Sequence, residues 1–153
     1  MKKLLIVAHA PSPNTRRLAQ AVLKGAQHPD IEQVSSVWVP PLQAQPDDVL
    51  GCDAIILGTT ENLGYMSGAL KDFFDRCYYP LLEKKQGLPC AVYIRAGLDG
   101  TGTRRALTGI LAGLKWREVQ ASHLYHGDWT DDFVAQAETL GMAMAAGLDA
   151  GIF

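Results

Sequence analysis

Short apolar runs alternate along this chain with stretches whose apolar residues recur every three or four positions. Leu4–Ala8 is apolar on both faces, the pattern of a buried parallel strand. Thr15–Lys24 carries Leu18, Ala19, Val22 and Leu23 at helical spacing and ends near Gly25. Ile31–Val39 mixes Ser, Gln and Glu with Val34, Val37 and Val39, which predicts a more polar strand at a sheet edge, closed by Pro40-Pro41. Pro46–Leu50 has room for about one turn of helix, and Asp53–Thr59 brings a second strongly buried strand, Ala54-Ile55-Ile56-Leu57-Gly58. In Ser67–Leu82 the residues Leu70, Phe73, Phe74, Cys77 and Leu81 form one helical stripe behind a Ser67 N-cap. A strand over Pro89–Arg95, a helix over Thr103–Leu114 and a weaker strand over Glu118–Tyr125 follow. A last helix is capped by Thr130, with Asp131 and Asp132 in its first turn and Phe133, Ala137, Leu140 and Met144 inward.

Five strands alternating with helices, with no linker, repeat or low-complexity tract, predict one α/β domain over residues 1–153: a three-layer α/β/α sandwich around a parallel sheet with right-handed crossovers. Two strand arrangements suit five such strands, the order 2-1-3-4-5 and an abbreviated dinucleotide-binding sheet; both place ligands beyond the carboxyl ends of the strands.

Composition narrows the function. The 153 residues include 14 basic and 16 acidic side chains for a net charge of −2, which argues against a nucleic-acid partner. Cys52, Cys77 and Cys90 match no zinc or Cys-x-x-Cys pattern and read as reduced, buried thiols of a cytoplasmic protein. Lys2-Lys3 before Leu4–Ala8 has the outline of a leader peptide, but the apolar run of five residues is too short, and a first strand explains the same letters. No run approaches the roughly 20 apolar residues of a membrane-spanning helix, so no membrane partner is expected.

Three loops at strand ends carry the candidate chemistry. His9-Ala10-Pro11-Ser12-Pro13-Asn14-Thr15 opens a helix with two hydroxyls and an amide, the donors an anion needs beside free backbone N–H groups; a plain Ser N-cap followed by Pro reads equally well. Thr59–Gly68 is a long strand-to-helix connection with two glycines, Leu63, Tyr65 and Met66, a surface suited to a flat molecule. Ala96–Thr103 has three glycines in six residues. In the order 2-1-3-4-5 these loops meet at one crevice, whose inventory matches a phosphorylated flat heterocycle. There is neither G-x-G-x-x-G nor G-x-x-x-x-G-K-[ST], which argues against a standard nicotinamide-binding sheet and against a nucleotide hydrolase. Ala8-His9 at the end of the first strand lacks the acidic residues of a phospho-receiver domain.

These residues resemble the flavodoxin-like flavoproteins, closest to the branch of NAD(P)H-dependent FMN and quinone reductases. The anchors are Ser12-x-Asn14-Thr15 and Gly58-Thr59 followed by Gly64-x-Met66-Ser67-Gly68-x-x-Lys71-x-Phe73-x-Asp75. The resemblance implies the order 2-1-3-4-5, with FMN as cofactor and NAD(P)H as co-substrate. By it, Ser12, Asn14 and Thr15 hold the FMN phosphate, the run Thr60, Glu61, Asn62, Leu63, Gly64, Tyr65 and Met66 lies along the flavin, and Gly97, Leu98, Asp99 and Gly100 cover its pyrimidine side. Ala10 stands where the family has its first phosphate-loop hydroxyl and Pro13 where it has a glycine, which removes one hydroxyl and one N–H donor. Electron carriers of the family sandwich the ring between aromatics, whereas only Tyr65 and Leu98 stand near it here, so the reductase branch is the nearer one. Glu61 has two orientations open to it, against the ring or away from it at a helix end.

Arg16-Arg17 and Arg104-Arg105 lie at helix starts and read either as phosphate contacts or as solvated pairs. His123 and His126 flank Tyr125 with no thiol or carboxylate nearby, which reads as packing rather than a metal site. Tyr78–Leu82 reads as core or as a homodimer contact. The function expected is an FMN-dependent oxidoreductase that uses NAD(P)H to reduce a quinone or another small acceptor. The flavin carries the chemistry, so no catalytic side chain and no metal are expected. A one-electron carrier and a flavin-free binding module of the same fold are the alternatives.

Overall fold

The computed structural model describes all 153 residues. The elements run β1 (Lys2–Ala8), α1 (Pro13–Ala26), β2 (Val34–Val39), α2 (Pro46–Leu50), β3 (Ala54–Asn62), β4 (Tyr65–Met66), α3 (Gly68–Leu81), β5 (Pro89–Ala96), α4 (Thr101–Leu114), β6 (Arg117–Glu118), β7 (His123–His126) and α5 (Asp132–Asp149). The parallel sheet has the order β2-β1-β3-β5, and its fifth position is shared by β6 and β7, which both pair with β5. This is the expected 2-1-3-4-5 order with two departures. The last strand is broken at residues 119–122, so the single strand predicted there is two short ones. The connection read as a long open loop after the third strand is a hairpin: β3 runs on to Asn62, turns at Leu63-Gly64 and pairs antiparallel with β4.

That turn explains why a loop was expected. A two-residue hairpin of the I′ type needs positive φ at both central residues, and Asn-Gly is its usual sequence signal. Here Leu63 takes φ 54° and Gly64 φ 76°. The leucine hides the signal.

The sheet separates two apolar clusters. Leu5, Val7, Ile55, Leu57, Cys90, Val92 and Ile94 face α3 and α4, whereas Leu4, Ile6, Ala8, Ile56, Ala91 and Tyr93 face α1 and α5. Because side chains alternate along a strand, Thr60 and Arg95 fall on the α1/α5 side and Thr59 on the other. The α1/α5 layer is tight. A methyl group on Gly25 would overlap the carbonyl oxygen of Glu138, and one on Gly141 would overlap that of Val22. The two helices therefore cross backbone to backbone, which only glycine permits. β2 alternates half-buried and exposed residues, as an edge strand covered on one face does.

Candidate functional site

The carboxyl ends of β1, β3 and β5 bring the three predicted loops to one rim. The His9 N–H donates to the Gly58 carbonyl at 2.9 Å, which ties the first loop to the middle of β3. The Glu61 carboxylate accepts from the Thr103 hydroxyl at 2.9 Å, and a methyl on Gly102 would overlap the Gly64 carbonyl, so the hairpin rests on the first turn of α4. The Gly127 N–H donates to the Ala96 carbonyl at 3.1 Å, and Arg17 of α1 reaches Asp131 at 3.0 Å. The rim is thus closed by contacts between loops on four strands.

In the first loop, Ser12 is the N-cap of α1 and Pro13 its first residue. The Thr15 N–H donates to Ser12 Oγ at 3.2 Å while the Ser12 N–H donates to Thr15 Oγ1 at 2.9 Å, a reciprocal cap. Thr15 is buried and also donates its hydroxyl proton to the Ser12 carbonyl at 3.1 Å. Its donor is therefore used inside the turn. Ser12 Oγ lies 2.8 Å from Thr15 Oγ1, so with the Thr15 proton on the Ser12 carbonyl the Ser12 hydroxyl donates to Thr15, whereas Asn14 is exposed and its backbone N–H has no partner in the protein. Of the three residues expected here, Asn14 offers free donors to a ligand, while Ser12 and Thr15 shape the loop.

The second loop presents Leu63 wholly exposed and Tyr65 partly so, and the third presents Leu98 exposed. Met66 is buried in the core under α3, so at this position only backbone faces the rim. The Ser67 N–H donates to Thr59 Oγ1 at 3.0 Å, and the Ser67 hydroxyl accepts from the Leu70 N–H at 3.1 Å to cap α3. Of the two orientations open to Glu61, the structure has the one toward α4. Asp99 accepts from the Thr101 N–H at 3.0 Å, which holds its carboxyl below the usual range, and Gly100 adopts φ 73° as the residue before α4. Gly97 is open to solvent. None of the clefts in the structure is lined by the expected site residues. The cleft bounded by Lys3, Leu4, Leu5 and Cys52, about 200 Å³, lies at the amino ends of the strands, the wrong end of a parallel sheet for a ligand.

The sequence reading missed a cation-aromatic group at the same rim. The Arg17 guanidinium lies 5.6 Å and the Arg95 guanidinium 5.8 Å from the centre of the Trp129 ring, and Arg95 also sits 5.2 Å from that of Phe133. Arg95 ends an apolar strand run, a signal that was available. Arg104 and Arg105 are exposed. His123 shares a 2.6 Å hydrogen bond with the Tyr125 hydroxyl, and burial lowers its pKa; His126, three residues along the strand, points to the opposite face.

The donor chemistry of this rim fits a phosphorylated flat molecule. It offers the Asn14 amide and an unpaired N–H at a helix start, and the buried Thr60 hydroxyl has no partner in the protein. The model of the NADPH-dependent FMN reductase family matches residues 1–131. The chain belongs to that family, whose cofactor is FMN.

A flavodoxin from Aquifex aeolicus (strain VF5) is 29% identical over 114 residues, covering 74% of this chain and 60% of the relative. A quinone-oxidoreductase from Triphysaria versicolor is 32% identical over 130 residues, covering 71% and 62%. The chain therefore spans about three-fifths of the length of these curated relatives. Among solved structures, a flavodoxin from the domain Archaea superposes with a TM-score of 0.80 at 18% identity, covering 95% of this chain and 98% of its own. A WrbA-like flavodoxin from Agrobacterium tumefaciens gives 0.75 at 18% over 99% of each chain. The apo form of an NADH:FMN oxidoreductase gives 0.72 at 16%, covering 96% and 90%. At these identities the likeness establishes the fold.

No helix of this chain is long and apolar enough to cross a membrane.

Proposed function

We propose that the protein is an FMN-dependent oxidoreductase that accepts hydride from NAD(P)H and delivers electrons to a quinone or a similar small acceptor. When bound, FMN supplies the hydride and electron chemistry. The residues of this chain bind and orient it. Asn14 and the N–H groups at the start of α1 hold the phosphate, in a loop that Ser12 and Thr15 fix. The hairpin from Thr60 to Met66 supports one side of the ring, and the turn Gly97, Leu98, Asp99, Gly100 borders its pyrimidine edge. Glu61, engaged by Thr103, keeps its carboxylate directed at α4.

The observation that carries the reductase reading is the rim itself. The large apolar side chains that its hairpin and third loop present are Leu63, Tyr65 and Leu98, and all three are exposed. Only one of these is aromatic, so the hairpin and the third loop do not clasp the ring between two aromatic faces, and a flat nicotinamide or quinone has room to lie against it. The exposed leucines offer that second molecule apolar area.

The test is anaerobic rapid mixing of the FMN-loaded protein with NADPH and with NADH, followed by addition of benzoquinone. Fast bleaching of the flavin absorbance and its recovery on quinone support the reading. A protein that ignores both nicotinamides yet exchanges single electrons at two well-separated potentials is a carrier instead, the reading favoured by its likeness to the Aquifex flavodoxin. The absorption spectrum of the freshly purified protein tests the cofactor separately.

A further inference from the structure

The Arg17 charge is matched by Asp131 at 3.0 Å. Arg95, half-buried at the end of β5, forms no salt bridge. Only its Nη1 is used: it donates to the Ala96 carbonyl at 2.7 Å and to the Tyr125 carbonyl at 2.9 Å. Nε and Nη2 have no partner. The stem and the guanidinium plane are held against Phe133 and Trp129. A half-buried cation without a counter-charge is costly unless an anion completes it. Rigid anchoring through one nitrogen leaves the remaining fork of donors aimed as a unit, the arrangement that suits a phosphate.

A second observation points to the same place. Thr60 is the register partner of Arg95 on the neighbouring strand and lies on the same face of the sheet. Its hydroxyl is buried and makes no hydrogen bond. An orphaned hydroxyl beside an uncompensated guanidinium is a donor pair without its acceptor. The group also lies beside the first loop. Arg17, stacked on the same Trp129, follows Asn14 by three residues on α1 and shares its side of the helix.

We propose that Arg95, with the Thr60 hydroxyl, binds the phosphate monoester of FMN and supplies the charge that compensates for the donors lost at Ala10 and Pro13. The assignment rests on the FMN reading above. It makes Arg95 the cofactor's anion anchor, with Trp129 and Phe133 as the surfaces that hold it in place.

The test compares FMN with riboflavin, which lacks the phosphate, by titration against the flavin-free protein and its Arg95→Gln and Arg95→Met variants; the methionine keeps an apolar stem on the two rings. The expected result is a loss of FMN affinity of about 10- to 100-fold, with riboflavin affinity unchanged. Equal loss for both flavins, or no loss for FMN, overturns the proposal. The Arg95 Nε–H resonance of the unmodified protein, assigned by its disappearance in Arg95→Gln, gives a readout that needs no stable variant. It should shift saturably with inorganic phosphate and with FMN, but not with chloride. If flavin fails to bind and phosphate still shifts it, the FMN reading falls and the anion site stands. If 2′-AMP shifts it and FMN does not, the phosphate belongs to the nicotinamide and the FMN assignment is overturned. If no phosphate compound moves it, the site itself is refuted.

Discussion

The Cα of Gly102, second residue of α4, packs so closely on the carbonyl oxygen of Gly64 that a methyl group there would overlap it. The contact seats the tip of the β3–β4 hairpin on the next helix, and the Glu61–Thr103 hydrogen bond at 2.9 Å fastens its base. The Gly102→Ala variant should push the hairpin off α4. Alanine favours the helix by up to about 1 kcal/mol, but overlap with a backbone atom costs about 1–3 kcal/mol, so a net loss of stability is expected in urea unfolding. FMN affinity should fall with it. An unchanged urea midpoint and unchanged FMN binding would show that the hairpin is not held this way.

Leu63 combines two unfavourable features, a positive φ of 54° and complete exposure. Neither helps folding, so the side chain is expected to work on a ligand. Leu63→Gly should raise stability by about 1 kcal/mol by relieving the backbone, while raising the KM for a quinone. Urea unfolding and steady-state kinetics together read the trade.

Tyr93 is buried, its hydroxyl has no partner, and its ring lies over Gly58, where a methyl would strike it. Burial pushes its pKa upward. Removing an unpaired buried hydroxyl relieves its desolvation, so Tyr93→Phe should stabilise the flavin-free protein by about 1 kcal/mol. Gly58→Ala should destabilise it by more. Chemical denaturation of both variants checks the pair of signs.

Burial lowers the pKa of His9 and of His123 below the ordinary value of 6.5. The unfolded chain therefore takes up protons at a higher pH than the folded one. Stability is full above about pH 6.5, falls as the pH drops from there toward the lowered folded-state values, and levels off below them. Denaturation midpoints between pH 7.5 and pH 5, roughly the histidine window, should show this slope, and a His9→Gln, His123→Gln double variant should flatten it.

All three cysteines are buried, and burial pushes the thiols of Cys52 and Cys90 up to about 12, and that of Cys77 upward as well. Thiolate is the reactive form. Native protein at mildly alkaline pH should resist a thiol reagent under conditions where the unfolded chain is labelled at all three positions. Rapid labelling of the native chain would contradict the burial.

Most of the architecture is legible in the sequence because apolar runs and helical stripes are burial patterns, and burial is what the sheet enforces. Leu4–Ala8 and Ala54–Leu57 announce buried strands without help from elsewhere. The hairpin is not legible, because its turn uses Leu63 where asparagine or aspartate would signal it. The broken last strand is not legible either: the Val119 N–H still donates to the Cys90 carbonyl, and the chain then leaves the ladder until His123. At the rim, local spacing points to Ser12, Asn14 and Thr15, but not to the division of labour between them, which depends on the reciprocal cap. Arg95 and Trp129 stand 34 positions apart. Only the fold brings them together.

The break between β6 and β7 has a consequence for the molecule among its neighbours. The free margin of a sheet can recruit a strand from another chain when it offers a long, regular row of unpaired peptide groups. Here that margin consists of two residues, an interruption and four more. Neither piece gives an incoming strand enough register to fuse two sheets, so on this side the chain is protected from polymerising by an irregularity of its own backbone.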